Sequence, residues 1–199
     1  MRFFVTHLLI IFSLGLTGCS LLDLQQDSKL LESKLNQIQH WQVRGKLSVI
    51  NKGEAVTGFL TWQQKEQAFD IFLSGPFGQG SSHLIGNHQQ ASLTLPGEET
   101  VYAASADELM AQFVGWKFPV LDISYWVKGQ ASPHSAATEL RNDMGLLESL
   151  QQHGWSVQFS RYQRIDDNWL PGRVKIVGNE FTFILAIKEW DIKEWKPND

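Results

Sequence analysis

The residue types that carry chemistry are present in this chain, but they are not gathered into a working set. One cysteine, Cys19, excludes an intramolecular disulfide and a cysteine-rich metal site. His7, His40, His83, His88, His134 and His153 show no zinc-ligand spacing. His83 and His88 can face each other across a turn, where a surface or packing role suits them. Glycoside hydrolysis needs two carboxylates converging across a cleft. Here Glu98-Glu99 and Asp166-Asp167 are adjacent pairs, as in solvated loops, and Asp122 stands alone. GxSxG, HExxH and a glycine-rich nucleotide loop are all missing from the sequence. The expectation is a protein that is not an enzyme and needs no metal or dissociable cofactor.

Cys19 acquires a different meaning from what precedes it. Arg2 supplies a short positive region, and Phe3 to Leu16 is mostly apolar, interrupted by His7 and Ser13. The stretch is too short to span a membrane and no second span follows, so it reads as a secretory signal. It ends in Leu16-Thr17-Gly18-Cys19, which resembles the bacterial lipobox. That resemblance implies cleavage before Cys19, diacylglycerol on its sulfur and acylation of the new amino terminus. Two or more acyl chains anchor stably, at roughly 0.8 kcal/mol per buried CH₂. Ser20, where aspartate would favour inner-membrane retention, is similar to an outer-membrane address. The expected organisation is a signal peptide over 1–18, a lipidated tether over 19–22 and one domain over 23–199.

The 199 residues carry a formal charge of −4, which becomes −5 when Arg2 leaves with the signal. Mild acidity without clustered positive charge predicts no nucleic-acid partner. The length suits one domain with a sizeable core.

The elements of that domain follow from periodicity. Leu24, Leu31, Leu35 and Ile38 form an apolar stripe on an N-terminal helix within 20–40. Trp41, Val43, Leu47 and Val49 then alternate, as do Val56, Leu60 and Trp62, with a Lys52-Gly53 turn between them. Phe69, Ile71 and Leu73 alternate on a third strand, with Phe72 on its other face. No intervening segment can hold a crossover helix, so these strands pair antiparallel. Weaker strands are expected near Ser81–Ile85, Ala91–Leu95 and Thr100–Ala103. Ser105-Ala106-Asp107-Glu108 fits a capping box for a helix carrying Leu109, Met110 and Phe113 and ending near Gly115. A second short helix follows Pro119. Leu146–Gln152 reads as a brief helix or an irregular edge. Strands return at Trp155–Phe159, Arg173–Val177 and Phe181–Ile187, the middle one preceded by Pro171-Gly172. The fold class is mainly β and antiparallel, with a helix in front and helices inserted in the middle.

The unusual feature is aromatic loading: eight Trp, three Tyr and 12 Phe. It suits a curved sheet whose inner face is incompletely filled and can hold an apolar ligand, with the inserted helices as a lid. The candidate cavity or core positions are Trp41, Leu47, Leu60, Trp62, Phe69, Ile71, Trp126, Phe159, Phe183 and Leu185. Phe77 sits between Pro76 and Gly78 in a turn, where a large apolar side chain either folds back onto the sheet or meets a membrane or ligand. Local sequence leaves both readings open. Arg44, Arg161 and Arg173 are candidates for polar contacts or for steering an acidic partner.

The combination of LTGC, HWQVRGKLSV, GFLTWQQ, FDIFLSGPFGQG, PVLDISYWVKG, HGWSVQFSRYQ and LPGRVKI resembles the LolB family of outer-membrane lipoprotein receptors over nearly the whole mature chain. The resemblance implies an incomplete antiparallel β-barrel around an apolar cavity, covered by helices. It implies a monomer, lipid-anchored on the periplasmic face of the outer membrane. Such a receptor accepts triacylated lipoproteins from the periplasmic carrier LolA and delivers them into outer-membrane phospholipid. The family carries a protruding loop with an apolar residue, usually leucine, after a proline. Pro76-Phe77-Gly78 matches it with phenylalanine in that place. The alternatives are a lipid-anchored envelope-assembly module and a general lipid-binding protein without LolA-dependent transfer.

Overall fold

The computed structural model describes residues 29–75, 80–114, 119–178 and 180–193. Cys19, Leu24, Pro76-Phe77-Gly78, Gly115, Trp116 and Trp195 lie outside them.

Residues 29–37 form helix α1, with Leu35 and Ile38 buried and Leu31 half-buried, along the stripe expected from their spacing. The chain then builds β1 (His40–Asn51), β2 (Glu54–Lys65), β3 (Ala68–Ser74), β4 (Ser81–Gly86), β5 (Ala91–Thr94) and β6 (Val101–Ala103). Two helices follow, α2 (Ala106–Val114) and α3 (Val120–Val127). After them come β7 (Thr138–Arg141), β8 (Leu147–Gln152), β9 (Trp155–Ser160), β10 (Gln163–Ile165), β11 (Asn168–Leu170), β12 (Arg173–Gly178) and β13 (Phe181–Lys193). Eleven strands form one antiparallel sheet in the order β6-β5-β4-β3-β2-β1-β13-β12-β9-β8-β7, while β10 and β11 make a separate hairpin.

The two terminal strands of this order, β6 and β7, do not pair with each other, so the barrel is incomplete. The helices occupy the opening. Helix α2 contacts β5 and β6, and Trp126 of α3 reaches Gln152 of β8. Curvature has a local cause in the longest strands. The β1–β13 register shifts between Arg44 and Gly45, leaving Lys188 as an extra residue that bends the ladder. A Cβ on Gly45 would lie 2.2 Å from the carbonyl oxygen of Ala186, so only glycine permits that approach.

Turn chemistry sets the hairpin registers. Lys52 and Gly53 both have positive φ, 49° and 87°, as a two-residue type I′ turn requires. His153 and Gly154 repeat this between β8 and β9, with φ 52° and 78°. At the head of α2, the Ser105 hydroxyl accepts from the Glu108 N–H at 3.2 Å. Glu108 returns the bond one residue further out than in the usual box, accepting from Ala104 N at 3.2 Å.

One expectation is corrected. Leu147–Gln152 is neither a helix nor an edge but an interior strand between β7 and β9. Its alternation was obscured by a bulge. Leu140 opposes Ser149 and Arg141 opposes Leu147, so Glu148 is extra, and burial falls on Leu147, Leu150 and Gln152. Strand β7 and the β10–β11 hairpin were not anticipated. Pro171-Gly172 carries the chain from that hairpin into β12, with Gly172 N donating to Arg161 O at 3.0 Å.

Candidate apolar binding cavity

The inner face of the sheet is apolar because antiparallel partners share a face and the inward positions alternate with polar ones. Leu47 and Val49 on β1, Leu60 and Trp62 on β2, and Ile71 and Leu73 on β3 point into a common space. Leu84, Leu93 and Leu95 extend it toward the β6 edge, and Val174, Ile176, Phe181, Phe183 and Leu185 extend it across β12 and β13. The helices close it with Met110 and Phe113 from α2 and with Val120, Ile123 and Val127 from α3. Among the described residues Ser82 alone contributes a hydroxyl to the lining. The cavity, partly open to solvent, has a volume of about 360 Å³, within the range of roughly 300–1,000 Å³ common to small-molecule sites. A broader concavity of about 590 Å³ lies on the outer face around Gln63, Lys65, Asp70, Asn87 and Tyr102. Its lining mixes Phe69 and Ile85 with charged Lys65 and Asp70, so it is less uniformly apolar than the inner cavity.

Of the ten candidate positions, Leu47, Leu60, Trp62, Ile71, Phe183 and Leu185 line this cavity. Trp41, Phe69, Trp126 and Phe159 are buried in packed core instead. Trp41 packs between Trp62 and Trp190 with the rings tilted, at 5.2 and 5.6 Å between ring centroids. The three fill the end of the inner face away from the β1–β2 turn. Among the described tryptophans only Trp62 faces the void, so most of the aromatic loading serves packing. The leucines and valines make most of the wall. Arg44 pairs with Glu189 at 3.2 Å on the surface.

Sequence reasoning missed a polar network behind α3. Asp122, read as an isolated acid, is buried and accepts hydrogen bonds from the Ser132 hydroxyl and, at 2.5 Å, from His153 Nδ1. Serine and histidine both donate to the aspartate rather than to each other. The serine is therefore not activated by the imidazole, as nucleophilic catalysis would require. One turn along, Trp126 Nε1 donates to Gln152 Oε1 at 2.8 Å. That oxygen also accepts from Ser132 N at 2.9 Å, while Gln152 Nε2 donates to Ser132 O and Ser135 O, each at 2.8 Å. The only signal in the sequence was an aspartate within the mostly apolar run Val120–Val127.

The third side of α3 meets α1. Lys128 Nζ donates to the carbonyls of Leu35 and Ile38, at 3.1 and 3.2 Å, where a cation suits the helix C-terminus. Burial lowers the Lys128 pKa to about 8. Gln130 Nε2 donates to Glu32 O and Asn36 Oδ1, and Arg141 pairs with Glu32. Among the described residues no cluster of three or more His, Cys, Asp or Glu could hold a metal ion. His83 faces Asp70 at 2.7 Å rather than His88.

Known proteins show the same architecture. A LolA superfamily protein from Nitrosomonas europaea superposes with a TM-score of 0.53 at 8% identity, covering 83% of this chain and 94% of that one. A DUF1329 family protein from Desulfovibrio piger gives 0.55 at 11% identity, covering 85% and 92%. At such identities these share the fold alone. Sequence relationship is closer elsewhere. The outer-membrane lipoprotein LolB of Pseudomonas fluorescens is 35% identical over 162 residues, 81% of this chain and 79% of its own. That of Cellvibrio japonicus is 31% identical over 186 residues, 89% and 92% respectively. The family model described as outer membrane lipoprotein LolB matches residues 39–190, from the first turn before β1 to Trp190 near the end of β13. With the cavity, its helical cover and the open sheet all inside that span, the chain belongs to the LolB family of outer-membrane lipoproteins.

Proposed function

We propose that this protein is a lipoprotein receptor of the outer membrane, accepting acylated clients in its cavity and passing them to the bilayer. The observation that carries the reading is the cavity itself, an apolar space with one hydroxyl among the described residues that line it, in a chain of the LolB family. A triacylated client has dozens of CH₂ groups, and at roughly 0.8 kcal/mol each their exposure to water would cost tens of kcal/mol. Transfer without that cost needs an apolar compartment at every stage. A LolA-like periplasmic carrier supplies the first, this cavity the second and outer-membrane phospholipid the third. The bilayer, as the end state, supplies the downhill direction without a nucleotide.

In this reading residues 1–18 are removed, and Cys19 carries diacylglycerol and an acyl chain. Residues 19–22 tether a single lipoprotein-binding domain, 23–199, as a monomer on the periplasmic face. Anchoring raises the effective concentration beside the acceptor membrane. Phe77, presented by Pro76 and Gly78, enters the bilayer during delivery. The LolB relatives and the cavity favour this reading over an envelope-assembly module with no transfer activity.

The test is transfer of a radiolabelled triacylated lipoprotein from a purified LolA-type carrier to the receptor and then to liposomes. A form beginning after Cys19 and its Phe77→Glu variant run in parallel. Acceptance and delivery by the first, with acceptance but no delivery by the second, is the expected result. A folded parent that accepts nothing from its matched carrier would leave the binding-module reading in first place.

A further inference from the structure

The outer concavity plays no part in the receptor reading, and it sits where a curved sheet should bulge. The side away from the inner cavity is convex, so a hollow there must be made by side chains. One cross-strand row supplies it. Gln63 of β2 lies opposite Asp70 of β3, and Asp70 opposite Ile85 of β4. Ile85 in turn lies opposite Ser92 of β5, and Ser92 opposite Tyr102 of β6. All five line the hollow, and at ~4.8 Å between neighbouring strands the row runs about 19 Å. Ala68 and Ser92 are small and make its floor. Tyr102, 78% exposed on the last strand of the sheet, forms one bank, and Gln63 with Lys65 forms the other. Two of the polar groups are fixed in place. Asp70 Oδ1 meets His83 Nε2 at 2.7 Å, which orients the carboxylate. Asn87 Oδ1 accepts from Gln89 N and Gln90 N, at 2.8 and 3.1 Å, which sets the β4–β5 turn and keeps the Asn87 NH₂ as a donor. Among the described residues the side chains of Gln63, Gln90, Ser92 and Tyr102 make no hydrogen bond with one another or with the rest of the fold.

We infer that this hollow is a saccharide-binding groove, taking a short neutral glycan chain along the row from Gln63 to Tyr102. The inference goes beyond lipid transfer and does not depend on it. A pyranose ring has apolar C–H faces and a rim of hydroxyls. The faces suit the exposed Tyr102 ring and Ile85, while the rim suits carboxamides that both donate and accept and a carboxylate that accepts. A few placed polar groups on a partly apolar wall are what orient a small ligand. Lys65 and Asp70 carry opposite charges, so the hollow has no net sign to draw an ion. Hydrocarbon is the less suited occupant, because it would cover the amides and the carboxylate without giving them partners.

The experiment is calorimetric titration of the full lipidated chain, in detergent micelles, with chitotetraose, a neutral chain of β-linked N-acetylglucosamine. Tetraalanine, a neutral peptide, is titrated alongside. The expected result is saturable binding of the sugar with a Kd of about 1 mM or tighter, and none of the peptide. Tyr102→Ala should weaken the sugar about tenfold, and Tyr102→Trp, which keeps a ring at that position, should retain it. Trp169→Ala removes a partly exposed ring on the separate β10–β11 hairpin and should leave the affinity unchanged. A folded parent that shows no saturable binding of the sugar would overturn the groove. So would equal binding by Tyr102→Ala and the parent, or equal weakening by Tyr102→Ala and Trp169→Ala, which would mark adhesion to exposed rings in general. Binding of tetraalanine alone would make the hollow a peptide site and sink the saccharide assignment.

Discussion

Truncating the cavity wall should separate binding from stability in a way that truncating the filled core cannot. Leu73 is half-buried on β3 and borders the void, whereas Leu147 on β8 is fully buried in packed core. Removing a leucine's branched end deletes three carbon groups. At Leu147 the deletion loses their transfer free energy and opens a new hole, which costs about 2–5 kcal/mol. At Leu73 the same groups border an existing void, so their removal enlarges it and should cost about 1 kcal/mol, below the usual range for buried leucines. The order reverses for an acyl ligand. Leu73 loses contacts worth about 2 kcal/mol, or about thirtyfold in affinity, while Leu147→Ala leaves the wall intact. Urea unfolding of the two alanine variants gives the stabilities, and titration with a fluorescent fatty acid gives the affinities. The reasoning is refuted if Leu73→Ala unfolds as easily as Leu147→Ala while binding the fatty acid as tightly as the parent.

Stability should also depend on pH through Lys128. Its folded pKa of about 8 lies below the ordinary 10.5, so the unfolded chain binds more protons between those values and stability rises with pH. Burial pushes Tyr162 the other way, above its ordinary 10.0, so above pH 10 the unfolded chain ionises first and this group lowers stability. Thermal unfolding from pH 8 to 10 should therefore show a gain of at most about 1.4 kcal/mol per pH unit, absent in Lys128→Met. Replacing Gln152 by leucine strands the Trp126 and Ser132 N–H groups and two carbonyls. The expected loss is about 3 kcal/mol or more by urea unfolding, against about 1 kcal/mol for Trp126→Phe, which leaves Gln152 Oε1 one donor. Cys19→Ser should abolish partition of the expressed protein into the membrane fraction while leaving the circular dichroism of the domain unchanged.

The long hairpins were legible because alternation, a Lys-Gly turn and the lack of room for a crossover each pointed to the same pairing. What escaped were features with non-local causes. The bulge at Glu148 breaks the period of β8, so a strand read as a possible helix. The β6–β7 gap lies between strands more than thirty residues apart in sequence, a relation that no local pattern encodes. The cavity was legible only in part. Trp41 and Leu47 obey the same alternation, yet one packs against Trp62 and Trp190 and the other borders empty space. Periodicity says which side of a strand is apolar; how completely that side is filled depends on curvature, and curvature here depends on Gly45 and the bulge beside it. Asp122 looked solitary because Ser132 and His153 lie 10 and 31 residues away in sequence.

Helix α3 shows how its own share of the cavity wall stays free of polar groups. Eight residues are too few to sustain an isolated helix, and VLDISYWV contains two valines and an isoleucine that disfavour one further. Its stability must come from ties to the rest of the protein, and several of these are polar. A polar group inside the cavity would hold water and oppose acyl binding. The helical period resolves the conflict by sorting residues onto separate sides. Val120, Ile123 and Val127 face the void, Asp122 and Trp126 face Ser132, His153 and Gln152, and Lys128 just past the end meets α1. The ties that hold the helix thus point away from the surface it presents. A wall of leucine and valine alone could be as apolar, but an eight-residue helix held only by such contacts would have nothing to fix its rotation about its own axis. Asp122 and Trp126, four residues apart and tied to separate partners, fix that rotation and keep the valine face turned inward.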